Sequence, residues 1–159
     1  MAITTTKAAE LADGYRKYPI EDHGKLRFAY GKITQGAAAG DDGSFGIICK
    51  LPPGRKRILP FLSRYKVSAL GSSRVMKVGH QAYRDRGEVS DTGEADDDDA
   101  FMSAIDVSSA VAAFWPSAAT SALKFDIYSV DEVVIYLTIT GGTIPAAATF
   151  EFAIAYIYE

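Results

Sequence analysis

Two residue types that carry much of enzyme chemistry are nearly missing from this chain. Cys49 is its single cysteine, and His23 and His80, 57 positions apart, are its only histidines. One thiol builds neither a disulfide framework nor a thiolate zinc site, and two distant histidines are poor material for a metal centre or for a base beside a nucleophile. No Gly-x-Ser-x-Gly elbow or Cys/His signature accompanies them, so hydrolysis by a triad is not expected. The glycines make no phosphate-binding fingerprint, because Gly36–Gly43 lacks a Lys-Ser/Thr ending and no helix follows it. No uninterrupted apolar run approaches the roughly 20 residues a membrane helix needs, and no basic start leads into a secretory apolar stretch. The expectation is a soluble protein made in the cytoplasm, with no cofactor and no membrane partner.

What is present suits one domain. At 159 residues, 48% apolar and 23% charged, the chain can bury a single core and is neither disordered nor repetitive. The net charge of −3 conceals a strong segregation. Residues 1–49 carry six Lys/Arg and six Asp/Glu, residues 50–86 carry ten against the single Asp85, and residues 87–159 carry Lys124 against thirteen acids, so the segments stand at 0, +9 and −12. A basic block followed by an acidic one can bind a polyanion or meet the opposite block on a neighbouring copy. Nucleic acid is the weaker partner, since the acidic third repels phosphate and no recognised nucleic-acid motif is present.

Residues 1–24 read as an extended N-terminal arm: Thr-rich at Met1–Thr6, with a short Ala-containing stretch at Lys7–Leu11, then Tyr15, Tyr18 and Pro19. The aromatic pair would find burial against a partner, and a frayed terminus is the plainer alternative. Residues 25–159 form the domain. From Lys25 the period is two, with Leu26, Phe28 and Tyr30 on one side, until the loop Gly36–Gly43. Ser44–Leu51 repeats the pattern through Phe45, Ile47, Cys49 and Leu51, Cys49 reading as a small core residue, and Pro52-Pro53-Gly54 ends it. Arg57–Ala69 is a longer β-rich stretch interrupted by Pro60, and Arg74–Ala82 alternates again. Gly87–Ala100 has Val89 as its one large apolar residue and is expected to be a solvated loop. Phe101–Phe114 begins as a strand and runs into an Ala/Ser/Val segment of open type, broken by Trp115-Pro116. Ala122–Tyr128, Glu132–Thr140 and Thr149–Tyr158 read as strands, the last with Phe150, Phe152, Ile154, Tyr156 and Tyr158 on one face. Seven or eight short strands with no long amphipathic helix predict an all-β fold, a two-sheet β-sandwich of jelly-roll type with the N-terminal arm.

Few residues offer chemistry. Glu132 and Glu151 could serve as paired carboxylates, but each reads better as the polar half of an alternating strand. The acidic run offers Asp91, Glu94, Asp96, Asp97, Asp98 and Asp99 as oxygen ligands for calcium, without the central glycine or closing glutamate of an EF-hand, so a self-repelling loop is favoured. In the basic block, Arg55-Lys56-Arg57 follows a Pro-Gly turn, and Arg64, Lys66, Arg74 and Lys77 are read as lying on one exposed sheet face. A contact with another protein is favoured over a merely solvated face.

The order Phe28-Ala-Tyr30-Gly31-Lys32, Asp42-Gly-Ser-Phe-Gly-Ile-Ile-Cys-Lys-Leu-Pro-Pro-Gly54, Arg57-Ile-Leu-Pro60, Asp126–Thr140 and the closing Ala146–Tyr158 strand resembles tailed-bacteriophage head-decoration, or cement, proteins. The resemblance covers most of residues 25–158. It implies a virion structural protein without enzymatic activity, on the outside of an icosahedral head. Such proteins are commonly homotrimers at threefold positions that bridge neighbouring copies of the major capsid protein against internal DNA pressure. The family has no catalytic motif to carry over. The expected capsid-contact residues Tyr15, Tyr18, Arg55, Lys56, Arg57, Arg64 and Lys66 come from the arm and the basic block alone. A carbohydrate- or receptor-binding module of a head or tail fibre is the alternative, with Trp115, Tyr128, Tyr136, Tyr156 and Tyr158 as candidate sugar platforms.

Overall fold

Alternating sequence becomes strand nearly throughout the computed structural model, which describes residues 5–7, 26–85, 93–115 and 125–158. The strands are β1 (Thr5–Lys7), β2 (Leu26–Thr34), β3 (Phe45–Leu51), β4 (Gly54–Ile58), β5 (Arg64–Val67), β6 (Val75–His80), β7 (Asp97–Asp106), β8 (Val111–Phe114), β9 (Asp126–Ser129), β10 (Val133–Thr140) and β11 (Thr149–Tyr158). One turn of 3-10 helix, Pro60–Leu62, separates β4 from β5. Among the described residues no helix is long and apolar enough to cross a membrane.

The strands make two sheets. The first has the order β1-β3-β10-β6-β7, and the second is built around β11. Along one edge of β11 lies β2, paired from Thr149 opposite Thr34 to Ile157 opposite Leu26. Along its other edge β5 and β4 lie end to end, with β8 outside β5 and β9 outside β4. Every pairing is antiparallel except that of β1 with β3. The steps β2 to β3, β3 to β4, β5 to β6, β7 to β8, β9 to β10 and β10 to β11 each pass from one sheet to the other. Most sequence neighbours therefore lie in opposite sheets, with β6 and β7 paired in one sheet as an exception.

The interruption expected at Pro60 has a local cause and a local repair. Leu59 still donates to Ala155 O at 2.8 Å, but Pro60 has no N–H and the chain turns. The ladder resumes at Ser63, which is fully buried. Its hydroxyl accepts from the Ala155 N–H at 2.9 Å and donates to Leu59 O at 2.9 Å, replacing the backbone groups the turn removed. Without it a buried donor on β11 would be orphaned.

The core lies where the inward faces meet. Phe150, Phe152, Ile154 and Tyr156 of β11 are buried, on the face expected for them, opposite Ile135, Leu137 and Ile139 of β10 and Met76 and Val78 of β6. At one end Phe101 sits among aromatic rings, 5.7 Å from Trp115, 5.8 Å from His80 and 6.3 Å from Phe125. Cys49 is a buried core residue as expected, and burial pushes its thiol up to about 12. On one flank β2 packs against β3 of the other sheet, close enough that a Cβ on Gly31 would run into the carbonyl oxygen of Ile48.

One sequence expectation fails here. Asp97–Ala100 is not part of a solvated loop but opens β7. His80 pairs with Asp97 and Val78 with Met102, so a two-residue step on β6 faces a five-residue step on β7. The surplus bulges over Gly79, where a Cβ would collide with the carbonyl oxygen of Asp97. A bulge gives several consecutive acids an exit to solvent that strict alternation would deny them, which is why composition alone suggests a loop. Residues 86–92 lie outside the described residues, as do 116–124, where the strand expected from Ala122 would begin; β9 is seen from Asp126.

Candidate interaction face

Alternation along β2, β11, β5 and β8 decides which side chains reach the outside of the second sheet. Since Phe150 and Phe152 point inward, Glu151 and Ala153 point out, and the register carries that choice across the sheet. Tyr30, Ala153, Arg64 and Phe114 form one cross-strand row, and Lys32, Glu151, Lys66 and Ala112 form the next. Toward the other end of β11 the rows continue with Phe28 opposite Ala155, and with Leu26, Ile157, Arg57 and Asp126.

This face is apolar to a degree unusual for a solvated sheet. Tyr30 is 62% exposed and Phe61, in the turn between β4 and β5, is 63% exposed; Leu26, Phe28 and Phe114 are also open. The Phe28 and Tyr30 rings stack at 6.2 Å, and the Arg64 guanidinium lies 4.4 Å from the centre of the Phe114 ring. Between Tyr30 and the Arg64–Phe114 pair runs a groove of about 450 Å³, with Ala153 and Ala112 in its lining and Lys66 and Glu151 beside them.

Charge is uneven over the same face. Lys32 pairs with Glu151 at 3.3 Å, and Asp126 receives both Arg55 at 3.4 Å and Arg57 at 3.2 Å. Among the described residues Arg64 and Lys66 have no carboxylate within ion-pair distance. Five cations thus stand against two carboxylates on the outward rows of the second sheet.

The structure separates several residues that were expected together. Arg55 and Arg57 are outward on β4, and Arg64 and Lys66 outward on β5. Lys56 is corrected from a surface contact to a core residue with no exposed area, because adjacent residues of a strand face opposite ways. Its ammonium nitrogen donates to Ser129 Oγ at 2.6 Å and to Gly54 O at 3.2 Å, and burial lowers its pKa to about 7. Arg74 and Lys77 do not share the face of Arg64 and Lys66 either, since β6 belongs to the other sheet. Tyr15 and Tyr18 lie outside the described residues.

The basic and acidic blocks meet within one chain. Lys50 pairs with Glu132 at 3.5 Å, Arg84 grips Asp131 with two hydrogen bonds of 2.6 and 2.8 Å, and Lys77 lies 3.2 Å from Asp98 and 3.8 Å from Asp99. The Arg84 hydrogen bond holds the Asp131 carboxyl below the usual range. Of the calcium candidates, Asp97, Asp98 and Asp99 bring carboxylate oxygens within 4.8 Å of one another, with the Lys77 ammonium already on two of them. Burial and a hydrogen bond with Asp97 raise the Asp99 pKa, and Lys77 opposes them. Asp96 instead accepts from the Tyr136 hydroxyl, Glu94 bridges to Tyr83, and Asp91 lies outside the described residues. Glu132 lies just before β10 rather than in it, Glu151 lies in β11 of the other sheet, and each is paired with a lysine.

The expected sugar platforms disperse as well. Trp115, Tyr136 and Tyr156 are buried, and Tyr158 donates its hydroxyl to Pro53 O at 2.7 Å; Tyr128 is the exposed member. The open rings Phe28, Tyr30, Phe61 and Phe114 are the ones the sequence reading did not single out as contacts. Their signal lies in small inward partners: Ala29 and Gly31 alternate with Phe28 and Tyr30, which leaves the large side chains to face out.

No family model matches this sequence, and no curated protein does. Solved structures do. A chain from the capsid of Ralstonia phage GP4 superposes with a TM-score of 0.68 over 98% of this chain and 99% of that one, at 16% identity. A chain from the cyanophage Pam1 capsid superposes with a TM-score of 0.57 over 93% and 96%, also at 16% identity. The likeness is one of fold, and it runs end to end in both comparisons.

Proposed function

We propose that this chain is a structural protein of a phage virion, and within the virion a decoration protein on the outside of the head, bound to the major capsid protein and bridging its copies. The observation that carries the reading is the fold match, over 98% and 93% of this chain, to chains from two phage capsids. The open apolar face with its surplus of cations supports it from the physical side. Isolated exposed apolar residues are ordinary, but the stacked Phe28 and Tyr30 rings, with Phe114 across the groove and two cations that no described carboxylate meets, suit a protein contact. Residues 1–24 are proposed as an arm that strengthens attachment, with Tyr15 and Tyr18 as its anchors. Self-association as a homotrimer is part of the proposal. The charge blocks pair within the chain, so they do not supply its contact.

Mixing the purified protein with heads that lack it, then sedimenting, tests the reading. Occupancy should fall gradually with ionic strength, because each exposed pair contributes about 0–1 kcal/mol and is screened by salt. Deleting residues 1–24, which also takes the short edge strand β1 off β3, should weaken binding while the other strands stay folded. No sedimentation with heads at any salt would contradict the proposal.

The exposed Phe28–Tyr30 stack favours one second reading, a carbohydrate- or receptor-binding module of the virion. Specific glycan-array hits lost in Tyr30→Ala, together with no head binding, would establish it instead.

A further inference from the structure

We propose that the groove between Tyr30 and Phe114 takes an extended acidic segment of the shell protein, two carboxylates two residues apart meeting Arg64 and Lys66 while the segment passes between the two rings, which stand in the cross-strand row of Arg64. This partner rests on the decoration reading. Arg64 and Lys66 project from the same side of β5, two residues apart, which along a strand is about 6.6 Å. Alternate side chains of any extended segment recur at that same interval, so a strand laid along the sheet keeps both contacts in register.

The charge argument is local. Lys32, Lys50, Arg55, Arg57, Lys77 and Arg84 each have a carboxylate within the chain. Among the described residues no carboxylate pairs with Arg64 or Lys66, and Glu151, the carboxylate in the groove lining, is held by Lys32. The site therefore lacks negative charge that a partner can bring. At about 450 Å³ it is large enough for several side chains, well beyond a single ion. A nucleic-acid strand fits the rings but not the charge, since two free cations with Glu151 beside them are few for a polymer with one phosphate per nucleotide.

The test uses the full chain and a labelled, acetylated and amidated heptapeptide of sequence Phe-Ser-Glu-Ser-Glu-Ser-Phe, against the same peptide with lysine for glutamate. Fluorescence anisotropy should show the acidic peptide binding more tightly, and the variant Arg64→Glu/Lys66→Glu should lose about three- to tenfold of that affinity, as expected for two solvent-exposed pairs. Both positions are open, so folding should be retained, and circular dichroism checks it. Equal binding of the two peptides overturns the proposal. So does tighter binding of a ten-residue oligothymidine, or a loss of self-association in the variant, which would make a second copy the occupant. Head sedimentation separates the two readings: head binding without peptide selectivity overturns the groove alone, whereas peptide selectivity without head binding overturns the shell partner and the decoration reading together.

Discussion

Gly79 and Lys56 are both set by what lies on top of them. The β7 bulge passes so close over Gly79 that a methyl group would meet the Asp97 carbonyl. Gly79→Ala should therefore cost about 1–3 kcal/mol in denaturant unfolding, as overpacking against unyielding backbone does; a cost below a few tenths would mean the bulge moves freely. Lys56 is a buried amine whose folded pKa of about 7 lies below its ordinary 10.5. Between these values the unfolded chain binds a proton that the folded one does not, so this group makes stability rise with pH from about 7 upward and adds no slope well below 7. Lys56→Met should remove that rise while leaving stability at pH 7 equal or higher, since no charge or amine is then desolvated. Thermal or urea unfolding of both proteins between pH 7 and 8.5 measures the difference. The raised Cys49 thiol and the buried tyrosines add slopes of opposite sign from the top of that window upward, and these cancel in the difference because both proteins carry them. Parallel pH profiles would mean the amine is solvated in the folded state.

The end-to-end arrangement of β4 and β5 depends on one hydroxyl. Ser63→Ala removes the acceptor of the Ala155 N–H and should cost about 1–3 kcal/mol, the penalty of an unsatisfied buried donor, whereas Ser63→Thr should restore most of it; equal stability of the alanine variant would show that the backbone closes the gap by itself. At this scale much of the fold is legible in the sequence. The alternation of Phe150, Phe152, Ile154 and Tyr156 marks β11 with its inward face, and Pro60 marks the break, because both signals are local. Two features are not local. Asp97–Asp99 enters a strand only because β6 offers Lys77 and Gly79 opposite a bulge. The outward turn of Tyr30 is decided by its register with Ala153, more than a hundred residues away. Lys56 lies between these cases: the sequence begins its β-rich stretch at Arg57 and leaves Lys56 beside a turn, but once Gly54–Ile58 is a strand three consecutive cations cannot share one face of it, and Lys56 turns away from Arg55 and Arg57.

Over the whole molecule, the segregation of charge along the sequence does not survive folding as two opposed poles. Strand pairing lays cations of the basic block beside acids of the acidic one, at β4–β9 and β6–β7 and from Arg84 to Asp131. What remains unbalanced is smaller and better placed: Arg64 and Lys66 beside a groove walled by Tyr30 and Phe114. A trimer held by apolar contact should be insensitive to salt, whereas a trimer held by the charge blocks should dissociate as salt rises. Light scattering at low and high ionic strength tells them apart, and a monomer at every salt would confine assembly to the capsid. The proposed place of the chain, on the outer surface of a phage head, is tested most directly by cryo-electron microscopy of the purified particle. The expected result is density for this β-sandwich outside the shell, with the outer face of the sheet built on β11 turned toward the major capsid protein. Density for it inside the head, in the tail alone, or nowhere in the particle would contradict the account.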